Sequence, residues 1–249
     1  MITDYIDLAV VAIYLFWFFF AGLVFYLQKE GRREGYPLET ETPGEYLDHG
    51  LFWIPERKAY NMPHGGVKYA PPLEMDTRPV AGTPVDGLAG SPIEPHPGNM
   101  MLSGVGPAAW AERDDVPDRT AHGEPKILPM RRLPGFEVVG RDTDPRGMEL
   151  YGDDGEKGGT VTEAWVDQGE SLIRYLEVDT GERTVLIPFT LIDVKADRVE
   201  TTAVLGHQVA EAPITANADE VTMLEEEKIS AYFGSGYLYA RSDAREPLI

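Results

Sequence analysis

Residues 8–28 read LAVVAIYLFWFFFAGLVFYLQ, 21 positions without one charged side chain. At about 1.5 Å per residue, a helix of that length matches the roughly 30 Å hydrocarbon core of a bilayer. The rival reading is a cleaved secretory signal, which wants a basic start, a shorter apolar run and a small-residue cleavage site. Here Asp4 and Asp7 precede the run, and Lys29, Glu30, Gly31, Arg32 and Arg33 follow it. The segment is therefore expected to be an uncleaved anchor. Cations beside a span are retained on the cytoplasmic side; all three lie after the run, so the N-terminus is expected to face outward and residues 29–249 the cytoplasm. Tyr5 and Tyr26 fall near the headgroup levels. Tyr14 and Trp17 fall near mid-membrane, where lipid tails offer their O–H and N–H no acceptor. They are either packing points for a membrane-embedded partner or rings of an aromatic-rich helix in plain lipid.

Charge divides sharply along the chain. Asp4, Asp7 and Glu30 cancel Lys29, Arg32 and Arg33, so the net −20 resides in residues 34–249. Such a field repels nucleic acid and an anionic leaflet, which argues against both as partners of this surface, and it concentrates cations, protons included. Plain solubility explains the same charge. The absence of cysteine excludes disulfides, thiolate metal sites and cysteine nucleophiles. His49, His64, His96, His122 and His207 form no helical zinc pair. No nucleophile elbow, phosphate loop or dinucleotide fingerprint appears, which leaves a tethered hydrolase or oxidoreductase without support.

Between residues 34 and 134, proline and glycine recur too often for long helices or central strands. Leu51, Phe52, Trp53, Ile54, Tyr60, Met62, Val67 and Tyr69 are nevertheless too apolar for a typical disordered linker. The stretch is expected to be an extended arm laid on a partner, with Trp110 as a further anchor. From residue 135 the texture changes. Short β-like runs at 136–139, 149–151, 160–166, 172–178, 184–187, 191–194 and 199–202 predict a small antiparallel barrel or sandwich. After Pro213, apolar positions at Val221, Leu224, Ile229, Tyr232 and Phe233 predict a helix. A capping box is expected at Thr222–Glu225 or Asn217–Glu220, and a stop at Gly234-Ser235-Gly236. Glu225, Glu226 and Glu227 read as a solvated face. The expected organisation is thus an anchor (1–33), an arm (34–134) and a mainly-β domain with a C-terminal helical segment (135–249).

Taken together, the sequence resembles the H subunit of the photosynthetic reaction centre of purple bacteria. The matching segments include Tyr14, Phe16-Trp17, Arg33-Glu34-Gly35-Tyr36-Pro37-Leu38-Glu39, Pro63-His64-Gly65, Gly104-Val105-Gly106-Pro107-Ala108 with Trp110, Lys126-Ile127, Trp165-Val166-Asp167, Leu176-Glu177-Val178 and Glu220-Val221-Thr222. Their shared order behind a single N-terminal span carries the resemblance. It implies one transmembrane helix beside the L and M subunits and a cytoplasmic PRC-type β-barrel capping them. The job it implies is to stabilise that core, cover the quinone sites and pass protons from the cytoplasm to the secondary quinone, with no catalytic residue of its own. Bacteriochlorophyll, bacteriopheophytin, quinones and a non-haem iron are then expected on partner subunits and none on this chain. A cytochrome subunit, light-harvesting antenna and membrane lipids are further expected neighbours in an inner, intracytoplasmic membrane with the N-terminus periplasmic. A membrane-tethered PRC-barrel adaptor without a proton role is the alternative.

Two clusters suit proton transfer, which needs titratable groups at hydrogen-bonding distance. The family's interior carboxylate matches Glu170, with Asp167 beside it and Arg174 as the expected cation; an exposed turn ion pair is the competing reading. The family's proton uptake point is similar to His122-Gly123-Glu124 with Lys126. There the family also holds a divalent metal, but Glu124 and Thr120 stand where it has a second histidine and an aspartate, so no metal is expected. A solvated loop histidine is the competing reading for His122. His64, flanked by glycine, is the weakest candidate and reads first as a turn residue.

Overall fold

The computed structural model of the chain describes residues 7–38, 50–72, 78–86 and 91–241. Asp4, Tyr5, Glu39 and His49 lie outside the described residues. The chain forms two compact units, Met1–Thr77 and Arg78–Ile249.

The first unit begins with helix α1, Leu8–Glu30, which Asp7 caps by accepting a hydrogen bond from the Ala9 N–H at 2.9 Å. The stretch Leu8–Arg33 has a mean hydropathy of 2.5 and is long and apolar enough to cross a membrane. None of the α1 side chains is buried within the chain; Tyr14 is 71% and Trp17 59% exposed. Trp17 packs edge-on against Phe16 and Phe20 of its own helix. Beyond α1, strands β1 (Lys58–Asn61) and β2 (Val67–Ala70) pair as an antiparallel hairpin. Its turn is closed by mutual hydrogen bonds between Met62 and Gly65–Gly66, both glycines at positive φ. His64 is exposed on that turn.

The second unit opens with a small hairpin of β3 (Gly82–Pro84) and β4 (Ile93–Pro95). Trp110 is approached by two cations, the Arg78 guanidinium 3.9 Å and the Lys228 ammonium 4.8 Å from its ring centre. The stretch read as one arm therefore divides between the units, and its second half packs on the domain that follows it.

That domain is a curled, mainly antiparallel sheet of β5 (Ile127–Pro129), β6 (Glu149–Tyr151), β7 (Lys157–Asp167), β8 (Leu172–Asp179), β9 (Thr184–Pro188), β10 (Asp193–Val194) and β11 (Arg198–Glu200). The order is β10-β11-β6-β7-β8-β9, with β11 and β6 parallel. Long β7 is the spine: β8 runs along one edge, while β6 and β5 share the other at its opposite ends. Paired positions on β7 and β8 send Val161, Leu176 and Val178 to one side, into the core cluster that also holds Ile229, Tyr232 and Phe233.

Helix α2, Met223–Tyr239, starts with the expected capping box: Glu225 N donates to Thr222 Oγ1 at 3.1 Å and Thr222 N to Glu225 Oε2 at 2.8 Å.

Three local expectations are corrected. Residues 136–139 form no strand and join no ladder; with Leu172 and Phe189 they wall an open groove of about 890 Å³. The 191–194 run is a 3₁₀ turn, Phe189–Leu191, followed by the two-residue β10. Gly234-Ser235-Gly236 does not end α2, because Ser235 and Gly236 are buried against the sheet domain and packing outweighs the weak propensity of glycine.

Candidate functional site

The two proton-transfer clusters read from the sequence meet in space. Residues 118–126 form a tight loop: Lys126 N donates to Asp118 O, Thr120 N to Glu124 O and Gly123 N to Thr120 O. Arg119 secures its tip through the Gly123 carbonyl at 2.6 Å. The chain leaves this loop directly into β5, whose first residue Ile127 pairs with Asp167 at the end of β7. Gln168 completes the junction by donating from its backbone to Lys126 O at 3.0 Å and from its side chain to Pro125 O at 2.6 Å.

Lys126 is the hub. Its ammonium lies 3.2 Å from Asp167 Oδ2, 3.6 Å from Glu170 Oε1 and 3.9 Å from Asp118 Oδ2. Asp167 is fully buried, and its Oδ1 accepts the backbone N–H groups of Gly169 and Glu170 at 2.9 and 3.1 Å, which fixes the β7–β8 turn. Its Oδ2 has no hydrogen-bond partner, since Lys126 approaches within ion-pair range but outside hydrogen-bond geometry. The Asp167 carboxylate raises the Lys126 pKa above its ordinary value, burial opposes it, and Glu170 and Asp118 add to the rise. Glu170 itself is half exposed, and His122 and Glu124 stand exposed on the loop. The cluster thus runs from solvent at His122 and Glu124, through half-buried Lys126, to a carboxylate closed off from water.

Arg174 is not the cation of this cluster. It makes no ion pair with Asp167 or Glu170; it lies on β8 beside a recess of about 300 Å³ lined by Asp118, Tyr175, Glu226 and Ser230. Two residues of that recess, Tyr175 and Glu226, were not among the site candidates read from the sequence. Tyr175 donates to Glu226 Oε2 at 2.8 Å. Burial raises the Glu226 pKa; the Tyr175 bond and the Arg174 charge lower it, and Asp118 and Asp167 push it up again. Burial likewise raises the Tyr175 phenol. The expected solvated face of three glutamates is corrected accordingly: Glu225 closes the helix cap, Glu226 meets Tyr175, and Glu227 pairs with Arg113 at 2.7 Å. The signal was present in the spacing, because position 226 is one helical turn from Ile229 on the inward face.

A second polar knot lies along β7, around Glu177 and Glu163. Glu177 is 9% exposed and accepts from Trp165 Nε1 at 3.0 Å, Thr162 Oγ1 at 2.9 Å and Arg131 at 3.1 Å. Neighbouring Glu163 is 6% exposed and accepts from the Arg131 backbone at 3.2 Å. Fully partnered, this group fastens the turn after β5 to the sheet. Among the described residues no three His, Asp or Glu side chains converge in a way that could hold a metal ion. His64 sits on the hairpin turn of the first unit, and the described titratable cluster is assembled entirely within the second.

Comparison with known families gives two matches. Residues 1–132 match the model described as the photosynthetic reaction centre H-chain N-terminal region, and residues 137–208 match the PRC-barrel domain. The first match alone spans more than half of the 249 residues, and the second falls on the curled sheet.

Proposed function

The chain belongs to the family of photosynthetic reaction-centre H chains, and from that premise we propose that it caps the quinone side of an L/M core and conducts protons toward the secondary quinone. Membership carries association with a reaction-centre complex, and the apolar α1 suits a membrane anchor. The finer reading places L and M as direct partners, the second unit in the cytoplasm, and the pigments, quinones and iron on those partners. The chain then serves as an accessory subunit without a reaction of its own.

One observation carries the proton role: Lys126 links a solvent-exposed loop bearing His122 and Glu124 to buried Asp167 and to Glu170. Relay requires groups that exchange protons in short steps and an end that water does not flood. Histidine titrates nearest neutral pH and suits uptake. Glu170 and Asp167 are the acceptors beyond it. Lys126 holds their negative charge without itself needing to release a proton, since its pKa is raised. Arg174 serves the adjacent Tyr175–Glu226 pair, which stores a proton beside the route.

The test uses the assembled complex. Glu170→Gln and Asp167→Asn are expected to slow the second, proton-coupled reduction of the secondary quinone by on the order of 100-fold or more, while the first electron transfer keeps its rate. Unchanged kinetics of both steps in an intact complex would leave a scaffold and remove the relay.

A further inference from the structure

Residues 50–54 form neither strand nor helix, yet they are held against the end of α1. The Phe52 and Trp53 ring centres lie 5.4 and 6.0 Å from that of Phe25. Lys29 places its ammonium 4.6 Å over the Trp53 ring, and the Arg32 guanidinium lies 5.5 Å from that of Phe52. The chain that follows is pinned as well. Arg33, 8% exposed, donates to the Ala70 carbonyl at 3.2 Å, bonds the Glu56 carbonyl and pairs with Glu30 at 2.8 Å. This loop cannot swing off the helix without breaking those contacts.

Its depth follows from helix geometry. Phe25 stands three positions before the end of the apolar run, about 4.5 Å inside it at 1.5 Å per residue. The Phe52 and Trp53 rings packed against it therefore lie where acyl chains meet headgroups. Leu51, next to Phe52, is 70% and Trp53 50% exposed, and Lys29 and Arg32 follow the apolar run directly. Exposed leucine and tryptophan with cations lying against the aromatic rings is the composition of a segment that seats about 5–10 Å into the interface.

We propose that residues 51–54 are a second membrane contact: a short dip in which Leu51 and Trp53 enter the lipid interface beside α1, so that the arm starts out fastened to the bilayer surface. The occupant is lipid, because the exposed apolar side chains continue, through Phe25, the apolar surface of α1. The inference rests on α1 spanning the bilayer, which the same experiment reports separately.

The chain has no cysteine, so single nitroxide labels can be placed without background. Labels at Leu51→Cys, Val24→Cys and Val139→Cys, all exposed positions, are compared in the full chain in phosphatidylcholine–phosphatidylglycerol bilayers and in the assembled complex. The readout is collision with oxygen, which partitions into lipid, relative to a water-soluble nickel chelate. The expected oxygen-to-nickel ratio at 51 is severalfold above that at 139 and below that at 24, in both preparations. A ratio at 51 equal to that at 139 places the loop in water and overturns the proposal. Loss of both collision partners at 51 in the complex means that a protein subunit covers the loop and overturns it too. A watery ratio at 24 removes the span itself, a failure distinct from one confined to 51.

Discussion

Tyr175 on β8 donates its hydroxyl to Glu226 on α2 at 2.8 Å, a bond that ties the sheet to the C-terminal helix across a half-buried recess. Burial raises both pKa values, and the phenol thereby remains a donor through the physiological range. A carboxyl raised above its unfolded value, here an ordinary 4.5, contributes stability that is fully present below that value. That contribution is lost as pH rises through the folded pKa. Glu226→Gln removes the titration. The thermal midpoint of the wild-type chain minus that of the variant should therefore be largest in acid, below 4.5, and shrink toward neutral pH. Circular dichroism melts across that range check it, and a pH-independent difference would mean that Glu226 is not perturbed.

Lys126→Met leaves Asp167 buried with no cation in reach. Breaking a buried pair costs about 3–5 kcal/mol; because Lys126 is 26% exposed, the expected loss sits at the lower end of that range. Asp167→Asn keeps an oxygen for the Gly169 and Glu170 N–H groups and removes the stranded charge. The double variant should recover more than half of the loss, as read from urea midpoints of the full chain. The raised pKa of Lys126 gives the opposite pH window to an ordinary salt-bridged carboxylate: its contribution is intact below 10.5 and disappears as pH climbs through the folded value.

Glu177→Leu should cost about 1–3 kcal/mol for the orphaned Trp165 Nε1–H alone, since Trp165 is 1% exposed and water cannot replace the acceptor. Glu177→Gln retains one acceptor oxygen and should cost less. Removing the donor instead, with Trp165→Phe, should shrink the penalty of a subsequent Glu177→Leu. A double-mutant cycle on the denaturation midpoints measures that coupling, and additive losses would mean that the indole is solvated.

Much of the architecture was legible because it rests on local patterns. The apolar run announced α1, alternation announced β7 and β8, and Thr222 with Glu225 announced the start of α2. The carboxylates of the candidate site entered through resemblance, and their cation was assigned to Arg174, the nearest in sequence on the following strand. Lys126 takes that place because β5 pairs with the end of β7, a long-range register that no local period encodes. Glu226 was hidden for a different reason: three adjacent glutamates were read as one charged face, although a helix turns each of them about 100° from the last. The anchor–arm division failed to foresee that residues after 77 pack on the sheet domain, since prolines and glycines report only what the backbone forbids.

The glycines of α2 give the sharpest separation of propensity from packing. Gly234-Ser235-Gly236 has the composition of a helix stop, but the helix runs through it to Tyr239. A Cβ at Gly234 would meet nothing within 4 Å, whereas one at Gly236 would stand 2.0 Å from the Ala203 carbonyl oxygen and 2.7 Å from Val204 Cγ1. Gly234→Ala should accordingly stabilise the chain by about 0.5–1 kcal/mol, the ordinary gain of alanine over glycine within a helix. Gly236→Ala carries the same propensity gain, but the backbone at Ala203 cannot yield as a side chain would, and the overpacking of about 1–3 kcal/mol or more should dominate. The two variants should therefore shift the thermal midpoint in opposite directions from chemically identical changes two residues apart. Shifts of the same sign would mean that α2 does not press its backbone against residues 203–204, and the close packing of the helix on the sheet domain would have to be abandoned.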